Sequence, residues 1–266
     1  MYLVKLGGSI ITDKSVQCTL REDVLNRLVN EMKVLAGEAF ILVHGAGSFG
    51  HVKAKRGDVG SGIRIGDSVP SRLMEMMDVQ QDVHILNSHV MDSLGSAGVA
   101  AISFPPRALG EMKDGELSYF DTRVISRALD TGVVPVSFGD VVLDSVRGFS
   151  ICSGDEIMYT IANNMPVKRV FFVCDVDGIY DKDPKKNKDA VHFPKLSVTE
   201  AEKMLGGSAS DSCSGDDVTG AMSGKLFWAV NTAVAGAKIH FVNGMVSGRL
   251  EKALAGEDVP QTILEA

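Results

Sequence analysis

The stretch Tyr2-Leu3-Val4-Lys5-Leu6-Gly7-Gly8-Ser9 decides the fold. Residues 2–6 are apolar and β-prone apart from Lys5, and they run straight into a glycine pair. Gly7 and Gly8 let backbone N–H groups converge on a ligand, because glycine reaches conformations that other residues avoid. A lysine beside such a turn suits a phosphate anion. An edge strand whose lysine reaches out to solvent is the rival reading of the same residues.

A second glycine turn weighs against that rival. Residues 39–43, Ala-Phe-Ile-Leu-Val, read as a buried strand. His44-Gly45-Ala46-Gly47-Ser48-Phe49-Gly50-His51 follows at once. Residues 45–50 match G-x-G-x-x-G, the dinucleotide-binding fingerprint. That fingerprint belongs after the first strand of its unit and needs an acidic residue roughly 20 positions later, near a strand end. Here the first strand already leads into Gly7-Gly8. Asp67 falls in the window, but inside a polar, glycine-rich stretch that no strand precedes. Two glycine turns after two different strands predict two separate phosphate sites instead.

At 266 residues the chain makes one large α/β domain or two lobes sharing a sheet. The 45% hydrophobic fraction is ample for a core. A net charge of −7 with no Lys/Arg stripe argues against nucleic acid as a partner. No apolar run reaches the roughly 18 residues that span a bilayer. No basic region followed by an apolar core opens the chain, so no signal peptide is expected. Cys18, Cys152, Cys174 and Cys213 are widely spaced, which suits reduced thiols and a cytoplasmic location.

Strand-like runs alternate with helical patterns, which predicts an open, mostly parallel sheet with helices on both faces. The strands are expected at 2–6, 39–43, 99–103, 133–138, 169–174, 238–242 and 260–264. The helices are expected at 21–36, 71–95, 121–131, 155–164, 198–205, 222–235 and 247–254. Residues 141–151 read as a β-hairpin. The polar, glycine-rich stretches 56–70 and 206–217 read as mobile lids or loops.

Four further segments join the glycine turns: Phe138-Gly139-Asp140, Ser153-Gly154-Asp155, Asp175 to Lys185, and Asp217-Val218-Thr219-Gly220 leading to Gly224-Lys225. In an open α/β sheet the ligand lies beyond the carboxyl ends of the strands, and these segments fall largely there. Asp155 reads equally as a helix N-cap. Asp177-Gly178 is also a plain turn signal. Lys225, in a first helical turn, opposes the helix dipole, which makes sense if it faces a phosphate held at that helix start. No Walker A motif is present, so a phosphoryl-transfer enzyme here uses another cradle.

Together these motifs resemble the amino acid kinase superfamily along nearly the whole chain, and within it the archaeal-type isopentenyl phosphate kinase branch. Residues 5–14, KLGGSIITDK, residues 44–51, HGAGSFGH, and the four segments above carry the likeness. The resemblance implies a three-layer α/β/α fold with an acceptor-binding lobe over about 1–165 and a nucleotide-binding lobe over about 166–266. It implies ATP with Mg²⁺, a homodimer, and transfer of a phosphoryl group to isopentenyl phosphate. Lys5 and Lys225 then hold the nucleotide phosphates and the group in transfer, and Lys14 touches donor and acceptor phosphates in flight. Gly7, Gly8, Ser9 and Gly47 surround the β- and γ-phosphates, with Gly220 and Gly224 at the start of the Lys225 helix. Asp155 orients the lysines. Asp175, Gly178, Tyr180 and Lys185 hold the adenine nucleotide. Ala46, Gly47, His51, Gly139, Ser153 and Gly154 hold the acceptor's phosphate. Cys174 stands where threonine is common in relatives. No residue set is expected to bind a metal by itself.

Joining two phosphates brings two polyanions together, so several cations are required. The isoprenoid tail needs a dry pocket, and the methionine-rich segment 73–79 is the expected wall, with Met76 or Val79 facing the tail. Ordinary core packing is the rival reading of that segment. Two other functions stay open: a kinase of another small acid, such as acetylglutamate, carbamate, uridylate or fosfomycin, and a non-catalytic binding or storage protein on the same fold.

Overall fold

A computed structural model describes residues 1–206, 220–234 and 236–265. The chain begins with β1 (Tyr2–Leu6), α1 (Gly8–Ile11), α2 (Glu22–Glu31), β2 (Phe40–His44), α3 (Gly47–Arg56) and α4 (Val69–Ser96). It continues through β3 (Ala101–Ser103), α5 (Pro106–Leu109), β4 (Gly110–Lys113), β5 (Glu116–Phe120), α6 (Thr122–Asp130) and β6 (Val134–Phe138). Then come β7 (Asp140–Asp144), β8 (Gly148–Cys152), α7 (Gly154–Asn164), β9 (Arg169–Cys174), β10 (Ile179–Tyr180) and β11 (His192–Phe193). The last elements are β12 (Lys195–Ser197), α8 (Val198–Gly206), α9 (Gly220–Val234), β13 (Lys238–Asn243), α10 (Arg249–Ala255) and β14 (Gln261–Glu265).

Eight strands form one sheet in the order β12-β14-β13-β9-β1-β2-β6-β3. Neighbours run parallel except β13 and β14. Successive side chains of a strand leave opposite faces, and both faces of this sheet are covered. Leu3 joins a core with Ile157, Ile161, Leu226 and Phe241; Val4 and Leu6 join the opposite core with Leu25, Leu28, Leu86 and Val90. Such two-sided burial explains why these strands read as nearly unbroken apolar runs. Lys5 leaves the sheet on the Leu3 face. Its strand lies at the centre of the sheet, not at an edge, and Lys5 is only 4% exposed. The snorkelling-lysine reading therefore falls.

A second sheet, β5-β4-β7-β8, stands beside the first. Its β7–β8 hairpin occupies the expected 141–151 region, and Gly139 and Gly154 sit at its open end. A Cβ on Gly139 would lie 3.2 Å from Gly154 N, so the two segments meet backbone to backbone. Asp144 pins the closed end. Its carboxylate accepts from the N–H groups of Asp114, Gly115, Val146 and Arg147 and from the Ser150 hydroxyl, all at 2.8 to 3.0 Å.

The stretch 56–70 departs from the sequence expectation. It is held down, because the Arg72 guanidinium donates to the carbonyls of Gly57, Asp58 and Gly62, and Ile63 N–H donates to Arg147 O. Val59, at its centre, is fully buried. The expected mobile stretch at 206–217 lies outside the described residues beyond Gly206. The helix expected over 21–36 ends at Glu31 and tightens into a 3₁₀ turn, Met32–Leu35.

Asp144→Ala strands five donors, four of them backbone, in a nearly closed setting. It should destabilise the fold by about 3 kcal/mol in urea unfolding at neutral pH. Burial opposes the Asp144 charge, but its donors outweigh that and hold the carboxyl far below the usual range. The wild-type advantage should therefore be full above about pH 4 and shrink as pH falls below it.

Candidate active site

The two glycine turns, expected as two phosphate sites, pack directly against each other. Gly7 caps α1 and Ala46 caps α3, so two helix starts lie side by side. A Cβ on Gly8 would collide with the Gly47 backbone, and one on Gly45 would come within 2.7 Å of Gly8 N. Gly47 adopts φ +51°, a conformation costly for other residues. Thr12 ties the turns together: its hydroxyl donates to Gly8 O at 2.6 Å and accepts from Ser48 N at 2.9 Å. The G-x-G-x-x-G match thus reflects packing of turn against turn. Asp67, the acidic residue in the ribose-binding window, accepts from Arg64 N at 2.8 Å and faces Arg72 at 3.5 Å.

Lys5 extends from the central strand past Gly154, where a Cβ would lie 3.2 Å from Lys5 Cε, and pairs with Asp155. Lys225 Nζ, from α9, is 4.0 Å from the other carboxylate oxygen. The N-cap of α7 is Ser153, whose hydroxyl accepts from Glu156 N at 3.1 Å. Asp155 is therefore released from capping and faces the lysines. Burial pushes its carboxyl up, but Lys5 and Lys225 prevail and hold it below the usual range. Burial is also the main influence on Lys5. It overrides the pull of Asp155, is reinforced by Lys225, and lowers the lysine pKa to about 8. Lys14 is lowered by burial and then by Lys225. His51, exposed at the cavity wall, is pushed below the usual histidine value by partial desolvation from the surrounding protein and then by Lys14, Lys225 and Lys5.

Two cavities flank this cluster. The larger, about 970 Å³, brings together Lys5, Gly7, Gly8, Ser9 and Lys14 with Ala46, Gly47, His51 and Val79. Gly139, Ser153, Gly154, Asp155, Gly224 and Lys225 complete its expected lining. The smaller, about 190 Å³, is walled by Asp175, Gly178, Tyr180 and Lys185. Three residues line both: Ser9, Lys14 and Lys225. Lys185 pairs with Asp175. The thiol of buried Cys174 donates to Val176 O at 3.3 Å.

One expected residue lines neither cavity: Met76 packs against the small core of Val59, Phe138 and Phe149. Gly220 is the first residue of α9. Asp217, Val218 and Thr219 lie outside the described residues. The sequence reading passed over several walls of the larger cavity: Val52, Val83, Val141, Ile151 and Trp228. Helical spacing could have found two of them, since Val83 follows Val79 by four residues and Trp228 follows Lys225 by three.

The family description "Amino acid kinase family" matches residues 1–243. The chain belongs to the amino acid kinase family. It is similar to the isopentenyl phosphate kinase of Methanothermobacter thermautotrophicus, with 37% identity over 98% of each chain. It is 40% identical to that of Thermoplasma acidophilum over 72% of this chain and 74% of the relative. A solved isopentenyl phosphate kinase superposes with a TM-score of 0.86 at 33% identity, covering 99% of each chain. The amino acid kinase fold thus explains the mostly parallel sheet, and the expected resemblance holds along the whole chain.

The lowered pKa of Lys5 makes this amino acid kinase site sensitive to alkali. The charged ammonium attracts phosphate, so kcat/KM for the nucleotide should fall as pH rises through about 8. Asp155→Asn removes the strongest influence that raises the Lys5 pKa, so the falling limb should move to lower pH. Initial rates across pH for both proteins check this.

Proposed function

We propose that this chain transfers the γ-phosphoryl group of ATP to isopentenyl phosphate, giving isopentenyl diphosphate and ADP. The observation that carries the reading is the shared wall of Ser9, Lys14 and Lys225 between the small pocket of Asp175, Tyr180 and Lys185 and a larger cavity with apolar sides. A phosphoryl group passing from one cavity to the other stays within reach of two lysines throughout. The kinases at 37% and 40% identity bear the same name, which favours this acceptor over the other small acids. A storage protein has no need of Lys5, Lys14 and Lys225 together.

The chemistry asks little covalent work of the protein. With a second pKa near 6, a phosphate monoester is mostly a dianion at neutral pH. Its oxygen attacks the γ-phosphorus without a general base, the bond to the β–γ bridging oxygen breaks, and ADP leaves. The Gly8 and Gly47 turns offer N–H groups to the phosphates, while Lys5 and Lys225, held by Asp155, neutralise the donor. His51 donates to the acceptor phosphate, whose negative charge favours the imidazolium. Val79, Val83 and Val141 line the tail end. Among the described residues no group of three or more His, Cys, Asp or Glu could hold a metal ion. Mg²⁺ would bind as a companion of the ATP phosphates, where it would supply charge neutralisation. The resemblance further supports a homodimer, testable by light scattering, and work in the cytoplasm. No described helix is long and apolar enough to cross a membrane.

Purified protein given Mg·ATP and a panel of acceptors should turn over isopentenyl phosphate faster than acetylglutamate or UMP. A reversed order sinks the reading. His51→Ala should lower kcat/KM for the acceptor by about 100-fold while leaving nucleotide binding nearly intact. Lys14→Ala should lower kcat sharply and change KM for ATP little, because its charge acts on the group in flight. Steady-state kinetics with each substrate varied in turn separates these effects.

A further inference from the structure

The larger cavity changes character along α3. That helix starts in the phosphate cradle at Gly47 and ends at Arg56, so its rise of 1.5 Å per residue puts the last turn roughly 12 Å from the cradle. The deep walls are closed: Val79, Val83, Val141 and Cys152 are each 3% exposed or less. The outer walls are open: Val52 is 38% and Ile151 41% exposed, and beside them stand exposed Lys55 and Arg56. Neither of these two cations forms an ion pair with a described residue. Lys53, on the same turn, is committed to Asp82 at 2.7 Å. The carboxylates that line the cavity are committed as well, Asp140 to Arg107 at 2.7 Å and Asp155 to Lys5. The mouth therefore combines uncovered apolar surface with two uncompensated positive charges.

We infer that Lys55 and Arg56 form a cationic rim that captures the anionic acceptor from solution and feeds it phosphate-first into the cavity. The inference rests on the acceptor being a prenyl phosphate. A chain of net charge −7 repels such a substrate at long range. A local cationic mouth reverses that repulsion within a Debye length, about 10 Å in 0.1 M salt. Val52 and Ile151 then receive the alkyl chain as it follows the phosphate inward. Basic residues in a last helical turn also answer the helix dipole, and a dipole role alone moves stability rather than capture.

Trp228, the single tryptophan of the chain, lines this cavity and serves as the reporter. Stopped-flow fluorescence should give association rates for isopentenyl phosphate with wild type and with K55E/R56E, from about 10 mM to about 1 M salt. The expected result is a wild-type rate that falls with salt, a variant at least 10-fold slower at low salt, and convergence at high salt. The same pattern should appear in kcat/KM for the acceptor, which covers a weak fluorescence signal. Equal rates at every salt overturn the proposal, as does a variant that only loses thermal stability. A deficit that persists in 1 M salt, or a matching loss of kcat at saturation, also overturns it, since both mean contact rather than steering. Failure of the functional reading looks different: wild type then forms no isopentenyl diphosphate. In that case the association of inorganic phosphate carries the same salt test of the rim.

Discussion

The ion pair between Lys5 and Asp155 is the constraint around which the site is built. It sits at the centre of an eight-stranded sheet, where two charges alone would be costly to bury. Lys225 adds a second cation against the same carboxylate, and the first turn of α7 places Asp155 at a favourable helix end. The surroundings follow from holding this pair. Gly154 clears the path of the lysine side chain. Ser153 takes over the capping of α7. The β7–β8 hairpin, closed by Asp144, presses Gly139 against Gly154. An ammonium kept in such a place cannot wander, and it meets an incoming phosphate with little water between them.

The cradle shows a second economy. Gly8, Gly45 and Gly47 lack side chains because the two turns touch each other, whatever they also offer to a ligand. The two turns are thereby parts of one unit, tied by Thr12. In the proposed reaction that unit would align two phosphates before either arrives, which is what in-line transfer between anions requires.

Much of this was legible in the sequence, for physical reasons that differ by element. The central strands announced themselves because burial on both faces leaves long apolar runs such as Phe40 to Val43. The lysines were legible because each stands beside a glycine turn or a helix start. The residues alone left Asp155 open, since an acidic residue opening a helix looks like a cap; only the family resemblance had it orient the lysines, and the structure shows Ser153 in the cap position. The β4–β5 hairpin was missed although Asp114-Gly115 is a strong turn signal. Its strands are short, and only Met112 and Phe120 turn fully inward. The stretch 56–70 read as mobile because its composition is polar, yet a single arginine just beyond it, Arg72, gathers three of its carbonyls. Contacts of that kind carry no periodicity and leave no trace in local sequence.

Lys5 also ties the enzyme to the protons of its medium. A buried amine with a pKa of about 8 is only partly charged in mildly alkaline solution. In the proposed reaction an arriving phosphate would favour the ammonium and draw a proton from solvent as it binds. Ligand affinity and ambient pH would then be a single linked equilibrium. The heat released on binding would vary with the ionisation enthalpy of the buffer, and part of what registers as affinity for phosphate would be the filling of a proton site in the protein core.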